Sequence, residues 1–112
     1  MYPEDETLLD ILDFARLVVG FMGEMTYEQF LASQKDRICV THEILMLGEA
    51  CRRLSLNFRA AHSEINWEKW MSLRNSIIHV YHRVDNLELW RAVRHDLPGL
   101  IAALECLTPK GE

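Results

Sequence analysis

Apolar residues recur along this chain with a helical period. Leu8, Ile11, Leu12, Ala15, Val18, Val19 and Met22 follow i, i+3, i+4, i+7 spacing, which predicts an amphipathic helix over residues 5–22, with Gly20 and Gly23 weakening its end. Thr26 with Gln29 three residues on has the form of a capping box and predicts a short helix in TYEQFLAS. Val40, Ile44, Leu47, Cys51 and Leu54 form a second long stripe over residues 36–55. Residues 57–63 read as a turn or short helical bridge. Asn66 is placed to cap a helix beginning at Trp67, with the stripe Trp67, Trp70, Met71, Ile77, Ile78 and Tyr81. Asp85 and Glu88 are a second N-cap pair, opening DNLELWRAVRHDL; Pro98 and Gly99 kink or restart that helix, and Leu100 to Leu107 complete it. No run alternates with period two. The pattern predicts an all-α bundle of about four main helices with short connections.

Bulk properties narrow the class. The chain has 112 residues, 49% of them hydrophobic, enough for one domain with a core. No apolar run approaches the length of a membrane span, and the acidic start MYPEDETLLD is unlike a secretory signal. A cytoplasmic protein with no membrane partner is expected. Cys39, Cys51 and Cys106 form no CxxC pair, so neither a disulfide framework nor a cysteine zinc site is expected; each reads as a small buried apolar residue. Net charge is −5, which disfavours nucleic acid as a partner. Its distribution alters that picture. Residues 1–66 hold 6 Lys/Arg against 11 Asp/Glu, whereas residues 67–95 hold 5 against 3 and add His79, His82 and His95. A local positive site on an acidic body can take a phosphate.

That segment contains RNSIIHVYHRVD (74–85), where polar chemistry is threaded through a helix. Arg74 falls on the apolar stripe of its helix, and a buried arginine is costly unless paired. The plainest reading is a structural salt bridge to Glu43 or Glu49. The functional reading puts Arg74 at a cleft or subunit interface, facing an anion. His79 lies five residues on, about 7.5 Å along the axis and about 140° around, so the two side chains do not share a face and a second copy of the chain would complete a site. A lone helical histidine is commonly an ordinary surface or core residue, and His82 and Arg83 near a helix end also complement the helix dipole. His79 and His82 at i, i+3 would form half of a metal site, but no third ligand is suggested. No metal or other cofactor is expected.

LRNSIIHVYHRVD resembles the HepT-like branch of the HEPN superfamily, whose pattern is Arg-Asn, three residues, His, one residue, Tyr, then often Val-Asp. Arg74, Asn75, His79, Tyr81, Val84 and Asp85 fill it without a gap. ILMLGEACRRL (44–54) resembles the family's Ile-Gly-Glu-Ala-x-x-Arg-Leu helix, EINWEKWMSLRN (64–75) its Ile-Pro-Trp lead-in, and LWRAVRHDLPGL (89–100) its Trp-x-x-Val…Asp-Leu-Pro segment. Asn66 departs from the pattern where proline often stands. The resemblance covers nearly the whole chain and implies a single HEPN-type up-and-down bundle of about four to five helices, homodimeric. It further implies a ribonuclease toxin, paired with a minimal nucleotidyltransferase antitoxin that silences it by transferring AMP to the tyrosine matched by Tyr81.

RNA cleavage without metal needs a base for the ribose 2′-OH, positive charge for the phosphorane, and an acid for the leaving oxygen. Histidine ionises near neutral pH and suits either proton-transfer role; arginine is a permanent planar cation. His79 is therefore assigned as acid/base, Arg74 as phosphate clamp, and Asn75 as the group orienting substrate or a side chain. Tyr81 otherwise reads as the last apolar residue of its stripe, with its hydroxyl at the wet edge. A different class remains open: a non-catalytic helical partner that binds a nucleotidyltransferase or its substrate. So does a helical dimer with no site. A small nucleotidyltransferase in the adjacent reading frame would support the first two and undercut the third.

Overall fold

The computed structural model describes residues 3–80 and 83–108, and within these every regular element is helical. The order is α1 (Pro3–Met22), α2 (Tyr27–Ala32), α3 (Gln34–Arg53), α4 (Leu56–Ala61), α5 (Trp67–His79), α6 (Asn86–Arg91), a π turn (Ala92–Asp96) and α7 (Leu97–Leu107). The last three run on as one rod. Four long rods result, with two short helices at the bends. Tyr81 and His82 lie outside the described residues.

Local chemistry fixes these boundaries. Thr26 Oγ1 accepts from the Gln29 N–H at 3.1 Å while Gln29 Oε1 accepts from the Thr26 N–H at 2.9 Å, so both halves of the capping box form. Ser33, Ser55, Asn66 and Asp85 each accept a backbone N–H at the start of α3, α4, α5 and α6. Such caps stabilise a helix by about 1 kcal/mol each. α1 carries Glu4, Asp5 and Glu6 on its first turn, where they complement the dipole, and it ends at Gly23 with φ +53. The bridge expected over residues 57–63 is the helix α4.

α3 is the central rod, with α1 on one side and α5 on the other; α7 closes against α1. The core joins Leu8, Ile11 and Val18 of α1 to Val40, Ile44 and Leu47 of α3, and to Trp70, Leu73 and Ile77 of α5. The expected α5 stripe is corrected by this packing. Its inward line is Trp67, Trp70, Leu73 and Ile77, while Ile78, turned about 100° from Ile77, is 48% exposed. The cysteines also divide. Cys51 is buried, Cys39 is half-buried, and Cys106 is exposed because it faces outward from α7. Burial pushes the Cys51 thiol up to about 12, against a smaller downward pull from the Arg59 charge.

Pro98 cannot supply an N–H to the ladder, and the rod meets it with a wider turn. The Leu97 N–H reaches back five residues to the Ala92 carbonyl. Around this turn, Arg94 Nη1 donates to the Gly23 carbonyl at 2.8 Å and Lys69 pairs with Asp96 at 3.0 Å. The rod is thereby tied to the end of α1 and to α5. Among the described residues, no helix is long and apolar enough to cross a membrane.

Candidate active site

α5 meets α3 at Gly48, and this contact seats Arg74. A Cβ at Gly48 would lie against the Arg74 Cβ and 2.6 Å from the Trp70 carbonyl oxygen. The absent side chain lets the two backbones approach, and Glu49, the next residue of α3, then comes level with the arginine. Arg74 Nε donates to Glu49 Oε1 at 2.7 Å, and Nη1 donates to Asn75 Oδ1 at 2.8 Å. The Arg74 side chain is 19% exposed, against 41% for Glu49. The guanidinium is thus held at the rim of the α3–α5 seam, with its stem packed inside and its charge near the surface.

Of the two carboxylates expected as partners, Glu49 is the one that pairs. Glu43 does not; one of its oxygens is buried without a hydrogen bond among the described residues. Glu49 also approaches Arg52 at 3.7 Å. One carboxylate therefore lies between two arginines, and the cluster keeps a positive excess. Asn75, itself exposed, uses its amide oxygen to hold Arg74, which is one of the two roles its position suggested. The conformational entropy that a long arginine would lose on meeting a phosphate is partly lost beforehand.

His79 is the last residue of α5 and is exposed. It lies on the far side of the helix from the inward line, about 170° from its centre. The hydrogen bonds of the Arg74 guanidinium go to Glu49 and Asn75, so within one chain Arg74 and His79 share a helix and no hydrogen bond. Ile78, beside His79, leaves half its surface uncovered. The Val80 N–H closes the helix onto the Ser76 carbonyl, the Arg83 N–H donates to the Val80 carbonyl at 2.6 Å, and Asp85 caps α6. Tyr81, matched to the modified tyrosine, and His82, weighed with His79 as half of a metal site, lie outside the described residues. Among the described residues, no three His, Cys, Asp or Glu side chains gather as a metal-binding group.

Sequence periodicity placed Arg74 on the apolar stripe and offered Glu43 or Glu49 as a partner, but missed Gly48. A glycine among the apolar residues of a long helix, directly before the pairing glutamate, was the available signal.

The family model described as HepT-like, "Ribonuclease HepT-like", matches residues 11–107, a span that holds every element from α1 to α7 in whole or part. The chain is 33% identical over 100 residues to "Probable ribonuclease HepT" of Thermococcus cleftensis, covering 89% of this chain and 91% of that one. It is 32% identical over 98 residues to "Putative RNase MJ1380" of Methanocaldococcus jannaschii, covering 88% and 90%. No solved structure gives a significant match. With the Arg-Asn…His string on α5, its glutamate partner on α3, and a family match over nearly the full length, the chain belongs to the HepT-like ribonuclease family.

Proposed function

We infer that this protein is a metal-independent endoribonuclease in which Arg74 clamps the scissile phosphate and His79 transfers protons. The observation that carries the reading is the seating of Arg74: a cation held at a surface seam by Glu49 and Asn75, on the same helix as an exposed histidine. The ribose 2′-oxygen attacks phosphorus as a base removes its proton. The P–O5′ bond breaks, and an acid protonates the departing oxygen. The products are a 2′,3′-cyclic phosphate and a 5′-OH. Arg74 neutralises the phosphorane oxygens, and a histidine serves as either base or acid.

Because Arg74 and His79 point apart, one chain is a poor site. A second copy docked over Ile78 would cover an apolar residue and bring its own Arg74 and His79 to the same cleft. The working species is therefore a homodimer. The biological setting that follows from the family likeness is a toxin paired with a nucleotidyltransferase antitoxin that attaches AMP to Tyr81. The added phosphodiester would compete for Arg74, and the nucleoside would fill the cleft.

The test is cleavage of single-stranded RNA by purified protein. His79→Ala and Arg74→Ala should each lose about 100-fold or more in rate while remaining folded. Arg74→Lys should recover part of the activity, since lysine lacks the planar fork. EDTA should leave the rate unchanged. Wild-type cleavage by His79→Ala refutes the assignment, and loss of activity in EDTA points to a metal instead. RNA left intact by the wild type, together with tight binding of the neighbouring nucleotidyltransferase, would make the chain a non-catalytic partner.

A further inference from the structure

A groove of about 430 Å³ runs between α4 and the first half of α5. Its apolar wall is formed by Leu56, Ile65, Trp67 and Met71, and Leu56 is 76% exposed. Three charged groups line it as well: Arg59, Glu64 and Glu68. Arg59 is the unusual one. It is half-buried, its Nε is buried with no hydrogen-bond partner, and Nη1 touches only the Met71 sulfur, at 2.9 Å. Among the described residues its guanidinium pairs with no carboxylate, and unlike Arg37, which is also half-buried and donates to the Leu31 carbonyl, it meets no oxygen acceptor. With Nε shut inside and Nη1 spending one hydrogen on a weak sulfur acceptor, Nη2 and the second Nη1 hydrogen remain as strong donors without an oxygen partner.

The groove adjoins the candidate active site, for Met71 lies one turn before Arg74 on α5. We propose that it is a subsite for a guanine base flanking the phosphate held by Arg74. This rests on the ribonuclease reading and assigns it a substrate preference. An open apolar wall fits a base face, as in the recognition of unstacked single strands. Guanine presents two acceptors, O6 and N7, which suit an arginine, and two neighbouring donors, N1–H and N2–H, which suit a carboxylate. Adenine and the pyrimidines lack one or other of these pairs. The two rim carboxylates also make the groove a poor seat for a phosphate, so the base enters it and the backbone stays with Arg74.

The experiment is an NMR titration of the full-length protein with guanosine 5′-monophosphate and, separately, uridine 5′-monophosphate, run beside RNA cleavage mapping. GMP should shift the amides of residues 56–71 and the Trp67 indole N–H, which now donates to the His62 carbonyl. UMP should bind about ten-fold more weakly. Arg59→Gln should remove that difference and flatten the base preference next to the cut. The double variant Glu64→Gln/Glu68→Gln, at two exposed positions, should do the same without touching the packed Arg59 stem. GMP and UMP binding alike, or an unchanged cleavage profile in the double variant, overturns the subsite and leaves the ribonuclease reading intact. GMP bound in the groove by a protein that cuts no RNA keeps a guanine site and removes the nuclease.

Discussion

Replacing Gly48 with alanine tests the seam that seats Arg74. The new methyl would sit 2.6 Å from the Trp70 carbonyl oxygen and against the Arg74 Cβ, both stiff atoms of α5 rather than the far end of a flexible side chain. Ordinary contact begins at 3.4 Å, so α5 must withdraw by about 0.8 Å. Overpacking of this kind costs about 1–3 kcal/mol. The intrinsic preference of helices for alanine returns up to about 1 kcal/mol. Two stiff atoms closer than 3.0 Å put the overpacking in the upper part of that range, about 2–3 kcal/mol, so the net loss is about 1–2 kcal/mol, which lowers the melting temperature by about 4–9 °C for a chain of this size. Gly20→Ala is the internal control. It lies within α1 with nothing within 4 Å of the added methyl, so it should be neutral or slightly stabilising. Thermal unfolding followed by circular dichroism compares the pair directly. RNA cleavage should fall further than stability does at Gly48, because a misplacement of about 1 Å in a catalytic group can cost about 100-fold. A Gly48→Ala protein that melts at or above the wild-type temperature would refute the close α3–α5 approach and, with it, the account of how Arg74 is held.

Light scattering at micromolar concentration should give a dimer, and Ile78→Glu, which charges the uncovered face of α5, should give monomers that no longer cleave RNA. Co-expression with a neighbouring nucleotidyltransferase should add mass in steps of one AMP on the peptide holding Tyr81; Tyr81→Phe should escape this and stay toxic, and neutralisation of Tyr81→Phe without AMP would mean inhibition by binding alone. Thiol reagents at neutral pH should label Cys106 at once and Cys51 only on unfolding. The raised Cys51 thiol sets a sign for pH dependence. The unfolded thiol ionises near 9 and the folded one near 12, so the native state holds the extra proton between them and stability falls as pH rises through that window. Cys51→Ala should flatten that part of the curve.

Most of the frame was legible because helices announce themselves locally. The Thr26–Gln29 box, the Asn66 cap and the Asp85 cap are each decided by residues within one turn, and all three form as read. The α5 stripe was less certain because a wheel cannot show where a neighbour lies. Arg74 and Ile78 flank the inward line on the same side, and only α3 determines that one is covered and the other half open. Cys106 was misplaced for a related reason: its residue type favours burial, but among the described residues its side of α7 has nothing to pack against. The site divided in the same way. The family string pointed to Arg74, Asn75 and His79, and the angle of about 140° between Arg74 and His79 on one helix is why a partner copy was expected. Gly48 and Arg59 matter through contacts with residues 26 and 12 positions away, which no local pattern carries.

The π turn gives the last rod a property that the other helices lack. A turn closed by a five-residue hydrogen bond holds one residue more than an α turn, yet the helices on either side still present Leu89 and Leu97 to the same core. The rod therefore tolerates a change in length there. Deleting one residue at 94 or 95 lets the turn close to α geometry while Leu97, Leu100 and Leu104 stay on the inward face, with the Arg94 or Asp96 tether loosened in exchange. The same deletion in the middle of α3 would rotate everything beyond it by about 100° and turn Leu47 and Cys51 out of the core. Length variation among relatives of this chain should accordingly gather just before the Pro98 turn and be absent from the helix that carries Gly48 and Glu49.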